Sequence, residues 1–336
     1  KRQKALDADQ IELLKAHQLI NSICLIDPVL PVLSRKSMKV PFSSVAEMLV
    51  YNEDKNLSLW QLALHYESAR GNISEEKVMG HSKNIVGIIK NAVATGLKGT
   101  EYTDRLLGAQ SVEFKSKFDK GQLIDSELVN TIIMYVSAIM EVKSSMGVIV
   151  AAPTAGSCGA MPGALTAMAD ALNLDEDTLV KGMLVAGLIG VFIATHATFA
   201  AEVGGCQAEC GSGACMAAAA MVFMNGGNIH QSLSAASLAL QNSLGMICDP
   251  IANRVEAPCL GKNVMAAVNA FACANMALSN YNHLIPLDEV IETMYQVGNS
   301  MPHTLRCTTL GGLSITKTAK ELEAALANNV PVFKSC

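Results

Sequence analysis

Three cysteines stand in sequence contexts that could bring their thiolates to one inorganic centre. Cys206 lies in Gly-Gly-Cys-Gln, Cys248 in Cys-Asp-Pro and Cys259 in Pro-Cys-Leu-Gly, so each adjoins residues that favour turns or loops. Thiolates presented from separate turns can converge on an iron–sulfur cluster. Charged groups beside apolar helices cost free energy unless they serve a partner or a site. The polar residues around these cysteines are Gln207, Glu209, Asp249, Asn253, Arg254 and Glu256.

The spacing of these cysteines, 42 and 11 residues, does not follow the C-x-x-C pattern of ferredoxins and zinc sites. Spacing alone therefore leaves two interpretations open, a metal centre and reduced thiols packed as small hydrophobic groups. Packing is the expected role of the other internal cysteines: Cys24, Cys158, Cys210, Cys215, Cys273 and Cys307.

A glycine- and proline-rich segment, residues 151–164, is a second candidate for chemistry. It contains three glycines, two prolines and the hydroxyl groups of Thr154 and Ser157. Turn residues before a helix expose backbone N–H groups that could cradle a carboxylate or a phosphate. The segment matches neither G-x-G-x-x-G nor the P-loop, so a tight turn between packed helices is an equally open interpretation.

His196 is the histidine with the most informative surroundings, because it ends a charge-free stretch shortly before Cys206. It is a candidate general base. The alternative is a core histidine that hydrogen-bonds to a neighbouring carbonyl.

The composition favours closely packed helices as the elements that position these residues. Of the 336 residues, 50% are hydrophobic, 16% charged and only 4% aromatic. Abundant Ala, Met and Gly suit helix–helix packing better than β-sandwiches, which use β-branched and aromatic residues. A net charge of −5 without a Lys/Arg cluster argues against nucleic acid as a partner.

The pattern of caps and apolar runs predicts an all-α fold. Val148-Ile149-Val150 is the one strand-like segment, and residues 97–122 read as a polar connection. The composition changes near residue 125, which predicts an N-terminal helical subdomain, 1–124, packed on a core, 125–336, in a single continuous domain. Helices are expected at about 6–22, 58–71, 74–95, 125–142, after 173–177, and at 211–224, 229–246, 262–279, 287–298 and 316–327.

Residues 182–201 lack Asp, Glu, Lys and Arg over a length that could span a bilayer. The stretch ends in polar residues and lacks flanking aromatic and basic belts, so we expect the central helix of a bundle and no membrane partner. The charged N-terminus lacks a secretory pattern, and ten cysteines are too dilute for a disulfide scaffold. These features predict a cytoplasmic protein.

Four long segments carry a family resemblance: residues 141–165, 204–223, 248–270 and 301–323. They resemble, in order, the α chain of bacterial iron–sulfur-dependent L-serine dehydratases, and the likeness runs through about residues 125–325 and more loosely before them. The resemblance implies a large, multi-helix catalytic domain with Gly/Pro-rich loops around a [4Fe–4S] cluster. It also implies that Cys206, Cys248 and Cys259 hold that cluster.

The implied reaction converts L-serine to pyruvate and ammonia. Three cysteines for four irons leave one iron open as a Lewis acid toward the β-hydroxyl group, while a base removes the Cα proton. Aminoacrylate then hydrolyses spontaneously. Thr154 and Ser157 become candidate donors to the substrate carboxylate. Cys336 is either a removable fourth ligand, as in some relatives, or an unrelated terminal thiol.

In this family a β chain or β domain carries a Ser-Ser-x-His-Thr motif, and this sequence lacks it. Ser144-Ser145 precede Met146-Gly147, and His303-Thr304 follow Met301-Pro302. We therefore expect a β partner, an oligomer, and a base that comes from that partner or from His196.

Two other functions stay open from the sequence. A pyridoxal-phosphate dehydratase would need a Schiff-base lysine, which no feature picks out among Lys143, Lys181 and Lys262. A non-enzymatic helical or membrane component would use its cysteines for packing only.

Overall fold

A computed structural model describes residues 8–18, 20, 39–328, 330 and 332, and it confirms the all-α prediction. The described residues form fourteen α-helices and no strand beyond an isolated bridge between Cys248 and Arg306. The helices are α1 Ala8–Lys15, α2 Val45–Asn52, α3 Leu59–Gly71, α4 Glu75–Gly96, α5 Gln110–Asp119, α6 Glu127–Ser144, α7 Ala160–Ala171, α8 Glu176–His196, α9 Ala201–Gly204, α10 Ser212–Met224, α11 Ile229–Gln241, α12 Cys259–Leu278, α13 Leu287–Ser300 and α14 Lys317–Ala327.

Four shorter helical turns complete the secondary structure of the described part of the chain. They are a π-helical turn, Gln207–Gly211, and the 3₁₀ turns Ile251–Asn253, His303–Leu305 and Gly312–Ile315. The chain divides into two units, residues 1–31, which contain α1, and residues 32–336, which contain the other helices. The division predicted at residue 124 stays a prediction.

Two local predictions are wrong. Residues 148–150 form no strand, because no neighbouring strand pairs with them, and Val148 is 60% exposed. The connection predicted at 97–122 contains α5, which packs against α6 through the fully buried Ser111. The polar composition of α5 reflects a helix that buries a single narrow face.

The Ala-rich helix α10 is the centre of the larger unit. It is buried on nearly every side and packs against α7, α8, α11 and α12. Its alanines, Ala217–Ala220, are fully buried, and their small side chains let the neighbouring helix axes approach closely. The core predicted from the excess of small residues lies here.

Helix α8 corresponds to the charge-free stretch. Asp175 caps its N-terminus by accepting a hydrogen bond from Thr178 N at 2.7 Å, and Glu176 and Asp177 complement the helix dipole. Among the described helices, α8 alone has the length and composition to cross a membrane, and 67% of its most apolar window is buried. Its contacts with α3, α4, α7 and α10 account for that apolar surface.

Helices α3 and α4 join the same core through α6 and α8. Gly96, at the end of α4, marks the closest approach, because a Cβ atom there would lie 2.3 Å from the Ala138 carbonyl oxygen of α6. The hydrophobic core of the larger unit is therefore continuous across residue 124.

Candidate functional site: a buried thiol group

Cys206 follows a sharp turn that glycine makes possible. Gly205 has φ = +71°, and a Cβ atom there would lie 2.7 Å from the Met246 carbonyl oxygen. The next residue, Gln207, is fully buried and holds the turn in place. Its backbone N–H donates to Met246 O at 3.1 Å, and its side-chain Oε1 accepts from Gly245 N at 2.9 Å. These contacts fix Cys206 between α9 and the π-helical turn.

Cys248 is held by the isolated β-bridge. Its N–H donates to Leu305 O at 2.9 Å, and its own carbonyl accepts from Cys307 N at 2.9 Å. The sulfur of Cys248, the sulfur of Cys206 and a carboxylate oxygen of Glu209 all lie within 4.8 Å of one another. Cys307 packs against the small hydrophobic cluster formed by Ala201, Cys206 and Cys248. The structure thus brings together two of the three predicted metal ligands.

Cys259, the third predicted ligand, is buried at the first position of α12. It lies outside the group just described, although its thiol interacts electrostatically with that of Cys206. Burial, with the nearby Cys206 charge, raises the pKa of Cys259 to about 12. Asn263 links the start of α12 to the π-helical turn that follows Cys206. Its Nδ2 donates to Cys259 O at 2.9 Å and to Cys210 Sγ, in that turn, at 3.6 Å.

The electrostatic environment favours a thiolate at Cys206. Hydrogen bonds with the Cys210 and Cys248 thiols hold the pKa of Cys206 well below that of a free thiol. The Lys262 ammonium group acts in the same direction from 4.0 Å away. Lys262 is itself fixed, at 2.6 Å from Asp249 Oδ1 and 2.7 Å from Ile247 O. One sulfur of the group is therefore a ready ligand for a cation.

The two predicted substrate-binding hydroxyl groups meet at Glu209. Thr154 Oγ1 donates to Glu209 Oε1 at 2.7 Å and lies 3.0 Å from Ser157 Oγ. Ser157 is fully buried, whereas Glu209 is partly buried. Burial raises the pKa of Glu209 to about 7, so this carboxyl group can exchange a proton near neutral pH.

Asn263 ties the glycine-rich segment to α12. Its Oδ1 accepts from Gly159 N at 3.2 Å and from Ala160 N at 3.0 Å, while Nδ2 donates to Gly156 O at 2.9 Å. The fully buried amide therefore occupies two of the N–H groups that the sequence suggested for anion binding. The segment is fixed next to the thiol group by a neutral side chain.

His196 is not brought into the thiol group by the described contacts. His196 is exposed at the end of α8, and its Nε2 lies 2.9 Å from Ser43 O. His196 therefore has the carbonyl partner expected of a core histidine, but its side chain is exposed and not buried. Its role as a base stays a prediction. Cys336 lies outside the described residues.

Sequence reasoning missed several residues of the site. Lys262 and Asn263 stand three and four residues after Cys259, the spacing that places side chains on one face of a helix. Glu209, expected from the sequence only as part of the polar surroundings, stands three residues after Cys206 in the same way. This spacing was an available signal. Nothing local singles out Cys307, because its contact with Cys248 depends on the β-bridge.

Comparison with known proteins identifies the family. The sequence model described as serine dehydratase alpha chain matches residues 54–314. The chain belongs to this family. The serine dehydratase alpha chain resemblance predicted from the four segments is thereby confirmed.

The relatives include separate α chains and longer proteins. The chain is 36% identical over 282 residues to "Probable L-serine dehydratase, alpha chain" of Bacillus subtilis (strain 168), covering 84% of this chain and 94% of the relative. It is 36% identical over 281 residues to "L-serine dehydratase, alpha chain" of Peptoniphilus asaccharolyticus, covering 83% and 96%. It is 32% identical over 283 residues to "L-serine dehydratase 2" of Escherichia coli (strain K12), covering 82% and 62%.

The donor set of this serine dehydratase alpha chain family member is rich in sulfur. Thiolates select soft or borderline metals such as iron in iron–sulfur clusters, whereas Mg²⁺ and Ca²⁺ prefer oxygen ligands. The group of Cys206, Cys248 and Glu209 therefore suits a thiolate-bound metal centre.

Proposed function

We propose that the chain is the α subunit of an L-serine dehydratase, a lyase that forms pyruvate and ammonia with the help of a [4Fe–4S] cluster. Family membership and the names of the relatives support the reaction. The observation that carries the metal-dependent part is that the sulfurs of Cys206 and Cys248 and a carboxylate oxygen of Glu209 lie within 4.8 Å of one another.

The residues present fit such a cluster. Cys206 and Cys248 would hold it together with Cys259, which is buried at the start of the adjoining helix. Lys262 would offset the negative charge of the thiolates, since its ammonium group already interacts with Cys206, Cys248 and Cys259. When bound, the cluster supplies a Lewis acid for the β-hydroxyl group of serine.

The residues of the chain itself would position the substrate and move protons. Thr154 Oγ1 can turn its donated hydrogen bond from Glu209 to the serine carboxylate, with Ser157 fixing its position. Glu209, released from Thr154, can pass a proton from its carboxyl oxygen to the departing hydroxyl group, because its pKa of about 7 leaves it partly protonated at neutral pH. The base for the Cα proton is His196 or a residue of a β partner.

A β subunit or β domain completes the proposal. The chain covers 94% and 96% of two relatives named as alpha chains but 62% of the longer Escherichia coli relative, which supports a second module beyond the region that matches. We propose a cytoplasmic oligomer that includes this β module and acts on L-serine.

The two alternative functions find no support at the site. Lys262 is paired with Asp249, Lys143 donates to Val255 O, and Lys181 Nζ lies 5.0 Å from the centre of the Trp60 ring, so each candidate lysine already has a partner. The N–H groups of Gly159 and Ala160, which a pyridoxal phosphate could have used, are bound by Asn263. Family membership argues against a purely structural component.

The test is anaerobic reconstitution with iron and sulfide, followed by iron and sulfide analysis and visible absorption of the purified protein. We expect four irons and four sulfides for each chain, and thiolate-to-iron charge-transfer absorption that a Cys206→Ser variant largely loses. Cys215→Ser is the matched control, because Cys215 is equally buried but lies in α10. A colourless wild-type protein, or equal absorption in the Cys206→Ser variant, contradicts the proposal.

A further inference from the structure

The thiol of Cys307, which has no role in the proposed reaction, forms a pair with the thiol of Cys248. The two side chains interact as hydrogen-bond partners, and Cys307 packs directly on the group of Cys206 and Cys248. Two backbone hydrogen bonds of 2.9 Å, from Cys248 N to Leu305 O and from Cys307 N to Cys248 O, keep the two chain segments in register. The contact is therefore built into the fold.

The two members of the pair differ in access to solvent. Cys248 is 3% exposed, whereas Cys307 is partly exposed. A dissolved oxidant therefore reaches Cys307 first, with the protected thiol of Cys248 next to it. An accessible cysteine poised beside a second thiol is the usual arrangement of reversible redox pairs.

We propose that Cys248 and Cys307 form a reversible disulfide when Cys248 is not bound to metal and a peroxide is present. The Cys307 sulfur attacks hydrogen peroxide, the O–O bond breaks, and Cys307 sulfenic acid and one water form. The Cys248 thiol then attacks the sulfenic sulfur, the S–S bond forms, and a second water leaves. The two thiols lose two hydrogens and two electrons, and the peroxide is reduced to two waters.

This disulfide would keep the oxidation of Cys307 reversible and would return Cys248 as a free thiol on reduction. A sulfenic acid that meets no second thiol proceeds to sulfinic and sulfonic acids, which are not reduced by ordinary thiols, whereas a disulfide is. The pair needs only free thiols, so it does not depend on which metal the site binds.

Cys206 is the natural competitor for Cys248, since their sulfurs also lie within 4.8 Å. Both of those cysteines are buried, at 2% and 3% exposure, so neither offers the first oxidation step that Cys307 offers. Peptide mapping can distinguish a Cys248–Cys307 disulfide from a Cys206–Cys248 disulfide. Trypsin releases Cys307 in residues 307–317, and a further cleavage after Met246 isolates Cys248 in residues 247–254, away from Cys206.

The experiment treats the purified full-length protein with hydrogen peroxide, both as isolated under anaerobic conditions and after removal of metal by a chelator. Free thiols are blocked, and the cleaved peptides are identified by mass spectrometry without reduction. We expect residues 247–254 linked to 307–317, with the loss of two hydrogens, in the metal-free protein, and reversal by dithiothreitol. Metal-loaded protein is expected to form less of this species.

A Cys248→Ser variant, which removes the second thiol, tests the reversibility, and Cys273→Ser is the control from a buried position in α12. After peroxide and then dithiothreitol, wild type and the control should regain most of the Cys307 thiol, measured by mass spectrometry of residues 307–317. The Cys248→Ser variant should lose Cys307 to sulfinic acid, because its sulfenic acid meets no second thiol. Linkage of Cys206 to Cys248 in the wild type, or equal recovery of Cys307 in all three proteins, overturns the proposal.

Discussion

Replacement of Asn263 by alanine should both destabilise the protein and loosen the glycine-rich segment. The Asn263 side chain is fully buried and joins that segment to the helix that starts at Cys259. Its amide bonds to Gly156 O, Gly159 N and Ala160 N. Alanine can make none of these bonds and leaves space where the amide was.

The magnitude follows from the groups that lose a partner. Ala160 N keeps a second acceptor, Ser157 O at 3.2 Å. Among the hydrogen bonds of the described residues, Gly159 N and Gly156 O depend on Asn263. A buried backbone group without a partner costs about 1–3 kcal/mol, so the two together cost about 2–6 kcal/mol. Water entering the space offsets part of this, and we expect a loss of about 3 kcal/mol.

The assay is equilibrium urea unfolding of the metal-free protein, with Asn269→Ala as the matched control. Asn269 lies on the same helix, is partly exposed, and bonds to Ala239 O and Asn242 Nδ2 without touching the glycine-rich segment. Its replacement should cost about 1 kcal/mol or less. If Asn263→Ala lowers the free energy of unfolding no more than Asn269→Ala does, the assigned role of Asn263 is wrong.

Three further changes test the site. Lys262→Met should raise the pKa of the Cys206 thiol, because a positive charge 4.0 Å from the sulfur stabilises the thiolate by up to about 4 kcal/mol before the opposing charge of Asp249 is considered. The measurement is the pH dependence of Cys206 alkylation in the metal-free protein. Lys262→Arg should keep the pKa low, and equal pKa values in the two variants would count against an interaction between Lys262 and Cys206. Thr154→Ala should raise KM for L-serine about tenfold with little change in kcat, because the substrate carboxylate loses one charge-assisted hydrogen bond. Thr154→Ser should retain the wild-type KM. An unchanged KM in the alanine variant would show that Thr154 does not bind the substrate. The pKa of Glu209 is about 7 in the folded protein, against 4.5 for an exposed glutamate. The stability contributed by the protonated Glu209 is therefore fully present below pH 4.5 and is lost as pH rises through about 7, a change of up to about 3 kcal/mol in the free energy of unfolding. Glu209→Gln should abolish this pH dependence in urea unfolding of the metal-free protein, and the same pH dependence in both proteins would refute the burial of Glu209.

The sequence predicts the helical core well and its polar additions poorly. Helices α8 and α10 follow from long apolar runs bounded by caps or glycines, and these runs must be buried wherever they occur. By contrast, α5 docks by a contact that no local pattern shows. Its Ser111 donates to both carboxylate oxygens of the buried Glu141, thirty residues away. Tertiary contacts of this kind, which the local sequence does not show, determine where helices of low hydrophobicity such as α5 form and pack.

The site, like the fold, was predictable from the sequence only in part. The turn-flanked contexts left open whether the three cysteines meet, and the family resemblance assigned Cys206, Cys248 and Cys259 together. In the structure the sulfurs of Cys206 and Cys248 lie within 4.8 Å of each other, whereas Cys259 lies outside this group. The sequence could not distinguish Cys307 from packing cysteines. Its place beside Cys248 is set by a bridge between segments more than fifty residues apart, and chain topology creates such contacts.

The most direct test of the central claim is pyruvate formation from L-serine by the anaerobically reconstituted chain combined with a candidate β subunit. Wild type and a Cys273→Ala control should form pyruvate, and a Cys248→Ala variant should lose this activity because one of the cluster's ligands is gone. Pyruvate formed by the Cys248→Ala variant at the wild-type rate would contradict a reaction that depends on this thiol group.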